Sequence, residues 1–404
     1  MYAHPSQLRA ANRRRAFRLL LTHGSMSRAD LARATGLSAM TAGKVVDDLI
    51  GEGLIEEKES PLEATPRVVM GRPPRNLALA STLEFPLVEL GVRQTSVMVQ
   101  PLDFGQPARR VEFATPRTMA TLLHRIDAAR EKLESPRTEF VMVSVPGILD
   151  AQADRVLCSP NLPLIEEHGF LPRLGEVFRA RVCAVQEIQA LALGHQAAGS
   201  APDSFVLVDF GDGVGGSLVA GGQLFQGTLP MAGELGHTGV HGNHRACACG
   251  SVGCVETLVS REGLLSSFKE RKGSHAATWD VLKEHVAAKG LEPWLARAID
   301  AAAVVIAGAI NLVGTQDVVL TGDLPDLHAE VGPLFEQRIR LHSLIGRIGR
   351  LTCRVAVRRR ALGLVAAAAD RFLLAEPERV EPTPPPHESV SSTTSKRARR
   401  GIDS

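Results

Sequence analysis

The sequence predicts an α/β protein preceded by a small helix-turn-helix head, on three observations. Apolar, β-branched runs of strand length alternate with stretches rich in Ala and Leu from about residue 85 onward. Before them, short helical patterns are punctuated by glycine. The chain's 404 residues, 44% hydrophobic and 22% charged, can bury the cores of two or three domains, which excludes a small disulfide scaffold and a wholly disordered protein.

The head opens with a basic amphipathic helix over 8–21, where Leu8, Phe17, Leu20 and Leu21 mix with Arg9, Arg13, Arg14, Arg15 and Arg18 before His23-Gly24 closes it. Ser27 caps a second helix that runs through Thr35, with Leu31 facing inward and Gly36 ending it. Ser38 caps a third, packed through Val45, Val46, Leu49 and Ile50 and terminated by Gly51 and Gly53. Two short helices about a tight glycine turn make a helix-turn-helix. Strand-like segments at 54–58 and 76–79 flank a loop rich in Pro and Arg, so the motif is winged. The loop's Gly71-Arg72-Pro73-Pro74-Arg75 is extended and narrow, suited to an electronegative minor groove.

Charge agrees with a DNA-reading head. Residues 1–45 hold eight Lys or Arg against one Asp or Glu, residues 1–80 twelve against eight, and the rest of the chain 34 against 36. Double-stranded DNA is therefore the expected partner: Ser38, Thr41 and Lys44 in the major groove, Arg72 and Arg75 in the adjacent minor groove, and Arg13, Arg14 and Arg18 on phosphates. Ala39, Ala42 and Gly43 lie on or near the exposed face of the third helix, which makes direct base readout modest and gives more weight to the wing and to DNA shape.

In the body, strands are expected at 87–99, 140–145, 182–185, 205–210, 216–220 and 318–321. The glycine-rich stretch 210–216 lacks the Lys-Ser/Thr ending of a Walker loop and reads equally as a tight hairpin or a phosphate site. From 376 to 404 prolines, a Ser/Thr cluster and a basic end predict a disordered, solvated tail. No run of eighteen uncharged apolar residues occurs and the first thirty residues have no signal-peptide pattern, so a cytoplasmic protein without membrane contact is expected.

The six cysteines divide by spacing. Cys158, Cys183 and Cys353 are solitary and read as small buried hydrophobes. Cys247, Cys249 and Cys254 are bunched, with Gly250 and Gly253 letting the chain fold back, and three thiolates with one imidazole satisfy tetrahedral zinc. His237, His241 and His244 are the candidate fourth ligands. Such a set is coordinatively closed, which makes the zinc structural.

Gly233-Glu234-Leu235-Gly236-His237 followed by Cys247-Ala248-Cys249-Gly250-Ser251-Val252-Gly253-Cys254-Val255-Glu256 resembles the zinc motif of the ROK family of repressors and sugar kinases. The resemblance covers 85–375 and implies a two-lobed, actin-like or hexokinase-like ATPase fold, with His237 as the zinc ligand. A winged helix at 1–80 before it resembles the repressor branch, which regulates sugar genes. ROK kinases open with Asp-x-Gly-Gly-Thr, where this chain has Glu89-Leu90-Gly91-Val92-Arg93. Their second phosphate loop reads Gly-Thr-Gly, here Gly211-Asp212-Gly213, and the base motif Asn-Asp-Ala-Asn becomes Gln186-Glu187-Ile188-Gln189. Three segments have drifted together, so no catalytic residue is assigned and kinase activity is not expected. Sugar-contact positions are better kept: Asn161, Glu234, His237 and Glu256 match the family's, and Glu187 holds the base position.

The expected protein is a sugar- or sugar-phosphate-controlled DNA-binding regulator, a repressor of carbohydrate genes acting as a homodimer or tetramer. Two alternatives are an active sugar kinase and a regulator whose ROK-like domain serves only for oligomerisation.

Overall fold

The computed structural model describes residues 5–59, 75–150, 155–199, 201–227, 232–273 and 277–374. The tail expected over 376–404 and the wing tip with Arg72 lie outside them.

The head comprises α1 (Pro5–His23), β1 (Ser25–Ser27), α2 (Arg28–Thr35), α3 (Ala39–Gly51), β2 (Ile55–Glu59) and β3 (Arg75–Leu79). Both expected caps form: Ser27 Oγ accepts from the Asp30 amide and Ser38 Oγ from the Thr41 amide. As expected, α3 ends at Gly51, with Glu52 as the C-cap, and the chain turns at Gly53 with φ +70°. The strands align antiparallel in the order β1-β3-β2. β1 was not anticipated, since Ser-Met-Ser has no alternation to mark it. Ala16, Phe17 and Leu20 of α1 pack against Leu31, Val45, Val46, Leu49 and Leu77, and this core continues without a break into the body through Phe85, Leu87, Leu193, Ala197 and Leu362. The head is seated on the body.

The body repeats one plan twice. In the first lobe β4 (Glu84–Glu89), β5 (Gln94–Pro101) and β6 (Arg109–Ala114) form an antiparallel meander. After α4 (Met119–Lys132), β7 (Phe140–Val145) joins β4 in parallel; β8 (Ile148–Asp150), β9 (Arg155–Cys158) and α5 (Phe170–Phe178) lead to β10 (Arg181–Gln186), parallel to β7. The sheet order is β10-β7-β4-β5-β6. The run at 87–99 is thus a hairpin, not one strand, and it turns where a Cβ at Gly91 would meet the Gln94 carbonyl at 2.5 Å.

After α6 (Glu187–Ala197), β11 (Phe205–Phe210), β12 (Val214–Ala220) and β13 (Gln223–Leu224) form the second meander. Helices α7 (Glu256–Val259), α8 (Arg261–Lys272), α9 (Trp279–Lys289) and α10 (Pro293–Val313) precede β14 (Asp317–Gly322), and α11 (Val331–His342) and α12 (Leu344–Ile348) precede β15 (Thr352–Val355). The order is β13-β12-β11-β14-β15, with β11, β14 and β15 parallel. α13 (Arg360–Ala368) ends in a π-helical turn, Ala369–Leu373. α6 and α13 pack on each other between the two sheets. α10 is long and apolar enough to cross a membrane, yet Leu295, Ile299, Ala303, Ile306 and Ile310 bury it in the second lobe.

Candidate functional site

A cleft of about 330 Å³ lies between the lobes. Turns built for close approach define its walls. The β11–β12 turn is a tight hairpin in which the Gly211 amide donates to the Gly213 carbonyl (2.9 Å), and it lines the cleft. A Cβ at Gly213 would sit 3.0 Å from both Asn161 Nδ2 and Glu256 Oε2, so the bare backbone gives these two groups room at one end of the cleft. Glu256 is buried, and its Oε2 accepts from the Val214 amide (2.8 Å). Glu234 lines the same end; burial and the neighbouring Glu256 raise its carboxyl above the usual range, against the opposing pull of His237. The structure thus brings Asn161, Glu234, His237 and Glu256 together as the sequence expected. Their amide and carboxyl groups can pair with the donors and acceptors of sugar hydroxyls.

Glu187 also lines the cleft, but its carboxylate is already engaged in an ion pair with Arg360. Arg360 reaches Glu89 as well (3.8 Å), and Glu89 in turn holds Arg110 (2.9 Å). Glu187, expected as an effector ligand, thus lines the cleft as one half of an ion pair, and a ligand reaching it would share or displace Arg360.

The other end of the cleft is filled by arginine–carboxylate pairs. Arg93 Nε donates to Asp212 (2.6 Å), across from one lobe to the other. Arg358 grips Asp209 with two bonds, 2.7 and 2.9 Å, while Thr321 Oγ1 donates to the same carboxylate (2.7 Å). Asp323 collects Arg261 (3.2 Å), Arg93 (3.7 Å) and Arg358 (3.7 Å). Burial works against the Arg358 charge, but Asp209, Asp323 and Asp212 outweigh it and raise its pKa. Asp212 therefore faces a cation of its own chain where polyphosphate was considered. Sequence reading missed Arg358 and Arg360, although three consecutive arginines, 358–360, amid an apolar stretch were a legible signal.

Beside Glu234 and Glu256, His237, Cys247, Cys249 and Cys254 place one ligand atom each within 4.8 Å of one another. Zinc at about 2.3 Å from sulfur and about 2.0–2.1 Å from nitrogen requires tetrahedral edges of about 3.8 Å for S···S and about 3.6 Å for S···N. Cys249 Sγ and Cys254 Sγ stand 3.7 Å apart, and Cys247 Sγ and His237 Nδ1 3.6 Å apart. The donor set and spacing fit zinc. His237 Nε2 is left facing Glu234 at 3.7 Å, so one ring serves both clusters. A donated Ser251 amide lowers the Cys249 thiol to about 7, whereas burial pushes Cys254 up to about 12. His241 and His244 line a separate groove against α10. Of the solitary cysteines only Cys183 is buried; Cys158 and Cys353 are half-buried.

In the head, Ser38, Thr41 and Lys44 are exposed on α3. Ser38 Oγ is bonded to Thr41 Oγ1 (2.9 Å) as well as capping the helix. Ala42 is buried, not near the surface, and Met40, which sequence reading passed over, is 74% exposed. Of the expected phosphate contacts Arg13, Arg14 and Arg18, burial corrects Arg13, while Arg14 and Arg18 keep partly exposed side chains beside a carboxylate of the body. Arg13 is buried against Glu52; Arg18 is ion-paired with Asp370 of the body, and Arg14 stands 3.8 Å from the same carboxylate. The helix is basic because its arginines tie the head together and seat it. Arg75, exposed at the start of β3, is paired with Glu57 (3.2 Å).

Residues 87–345 match the ROK family model. The DNA-binding transcriptional dual regulator NagC of Escherichia coli is 24% identical over 352 residues, spanning 81% of this chain and 84% of its own. Among solved structures, a ROK family transcriptional regulator homologous to the E. coli MLC protein superposes with a TM-score of 0.68 at 22% identity, covering 91% of this chain and 97% of that one. A ROK family glucokinase from Streptomyces griseus, solved with glucose and AMPPNP, covers 71% and 98% at a TM-score of 0.59 and 23% identity. The two-lobed body is the fold shared by these regulators and kinases, and the chain belongs to the ROK family.

Proposed function

We propose that this protein is a sequence-specific DNA-binding transcriptional regulator, a repressor of carbohydrate-related genes, controlled by a sugar or sugar-derived effector in the cleft and without kinase activity. One observation supports the reading: Asn161, Glu234, His237 and Glu256 converge at one end of the cleft, while the other end is filled by Arg93, Arg358 and their carboxylates. Such a cleft can sense a sugar, while the arginines that line it among the described residues, Arg93, Arg358 and Arg360, are each paired with a carboxylate. A winged head seated on that body supplies the output. Ser38, Thr41 and Lys44 enter the major groove, Arg75 and Arg72 follow the wing into the minor groove, and a cytoplasmic homodimer or tetramer sets the spacing of the heads.

Zinc, held by His237, Cys247, Cys249 and Cys254, is structural: it fixes the loop that carries Glu256 beside Glu234 and His237. Loss of metal then costs effector response as well as local order. Cys249→Ser that retained full zinc and normal effector-dependent release from DNA would refute this coupling.

The test is a thermal-shift screen of the full chain with neutral and phosphorylated sugars, followed by DNA release with the compounds that bind. A ligand at 100 times its Kd stabilises the folded state by about 2.7 kcal/mol. No shift with any sugar would favour a scaffold without ligand. Sugar-dependent ATP turnover that disappears in Glu187→Gln would favour a kinase.

A further inference from the structure

Two helices connect the cleft to the head. α6 starts at Glu187 and α13 at Arg360, the two residues paired on the cleft wall. At its other end α6 presents the Ala197 carbonyl, which accepts a hydrogen bond from Thr22 Oγ1 of α1 (2.9 Å). The π-helical turn that prolongs α13 carries Asp370, the partner of Arg18 on the same α1. Both helices therefore begin at the cleft and end on the first helix of the head, each spanning about 16 Å, from Glu187 to Ala197 and from Arg360 to Asp370.

Between these ends their backbones touch. A Cβ at Gly363 would overlap the Ala190 carbonyl, and one at Gly194 would overlap that of Arg359. With no side chains between them to deform, the helices transmit displacement as one body. α1 in turn carries α3, through Phe17 and Leu20 against Val46 and Leu49 and through Arg9–Asp48 (2.8 Å). The junction also holds an unused alternative. Arg14 Nε and Asp370 Oδ1 are buried, lack hydrogen-bond partners and stand 3.8 Å apart, so a shift of about 1 Å would bond them.

We propose that α6 and α13 form a lever that couples the Glu187–Arg360 pair to the position of α1 and hence of the reading helix. A ligand that competes for either residue releases the cleft end, and Thr22, Arg18 and Asp370 are the positioning residues at the head end. The inference rests on the regulatory reading of the cleft and adds the route.

Hydrogen exchange on the full chain tests the lever without any ligand, so its outcome is separate from that of the sugar screen. Glu187→Gln removes the charge at the cleft end with little change of shape. It is expected to accelerate exchange of the α1 amides about fivefold or more, the lower bound of ordinary coupling, while α10 keeps wild-type protection. Combining it with Arg18→Gln and Thr22→Val is expected to confine the change to α6 and α13, relative to the head-end variant alone. The lever is refuted if Glu187→Gln leaves α1 unchanged while α6 responds, or if α1 responds as strongly once the head-end contacts are cut. Arg360→Lys, which keeps the charge, should leave α1 near wild type; loss of α10 protection in Glu187→Gln would show general unfolding and equally overturn a specific lever.

Discussion

Arg358→Met is expected to destabilise the second lobe by about 3 kcal/mol, the lower end of the range for breaking a buried pair, because the Arg358 side chain keeps 30% exposure and part of its charge is solvated. The cost arises at Asp209, which is 7% exposed and would keep only the Thr321 hydroxyl, 2.7 Å away, as a polar side-chain partner. For a domain of this size that corresponds to roughly 6–12 °C in Tm. Adding Asp209→Asn removes the stranded charge while keeping the hydroxyl contact, so the double variant is expected to recover half or more of the loss. Urea unfolding followed by tryptophan fluorescence suits the measurement, since the chain's 2 tryptophans, Trp279 and Trp294, both belong to the second lobe. A single-variant cost under about 1 kcal/mol, or strictly additive substitutions, would refute the argument that the pair stands in for a ligand. AMPPNP-Mg supplies a further check: stabilisation of the wild type that Arg358→Met abolishes would make Arg358 a phosphate ligand instead.

Metal analysis is expected to find about one zinc per chain, lost in Cys247→Ser together with protection of the 237–256 loop from protease; unchanged metal content would remove Cys247 from the ligand set. Lys44→Gln is expected to lower the salt slope of DNA binding by about 1, whereas Arg13→Gln leaves the slope unchanged and costs about 1–2 kcal/mol of stability through Glu52. A reduced slope for Arg13→Gln would restore it as a phosphate contact. Met40, apolar and exposed at the start of α3, is expected to contact thymine methyls: replacing thymine by uracil in a selected binding site should weaken the wild type about fourfold per contact, and Met40→Ala should erase that difference. Equal thymine-to-uracil losses in both proteins would place Met40 away from the bases.

The head was legible nearly residue by residue because its signals are local. Ser27 and Ser38 cap through their own next turns, and Gly36 and Gly53 adopt the positive φ that ends a segment. The same locality misled the reading of α1, where an arginine-rich face suggested phosphate contacts. Glu52 lies 39 positions from Arg13 and Asp370 352 positions from Arg18, separations over which a helical pattern carries no information. In the body, Phe140–Val145 and Phe205–Phe210 were read to the residue because fully buried strands are apolar throughout. The short strands β8, β9 and β13 were not, having too few residues to show any period.

The cleft shows why substitutions that look like separate losses act as one. Measured against the kinase pattern, arginine for threonine at 93 and aspartate for threonine at 212 would each place an unmatched charge where phosphates pass. Together they bond to each other at 2.6 Å and hold the lobes where a nucleotide would otherwise bridge them. Glu89 and Glu187 follow the same logic, since Arg360 lies between them, bonded to Glu187 and 3.8 Å from Glu89, which Arg110 also holds. Glu89, Glu187 and Asp212 are each paired with an arginine of their own chain, contacts that a nucleotide entering this end of the cleft would have to displace. Glu234 and Glu256, at the opposite end, have no arginine partner among the described residues, and there a ligand's hydroxyls could supply further donors.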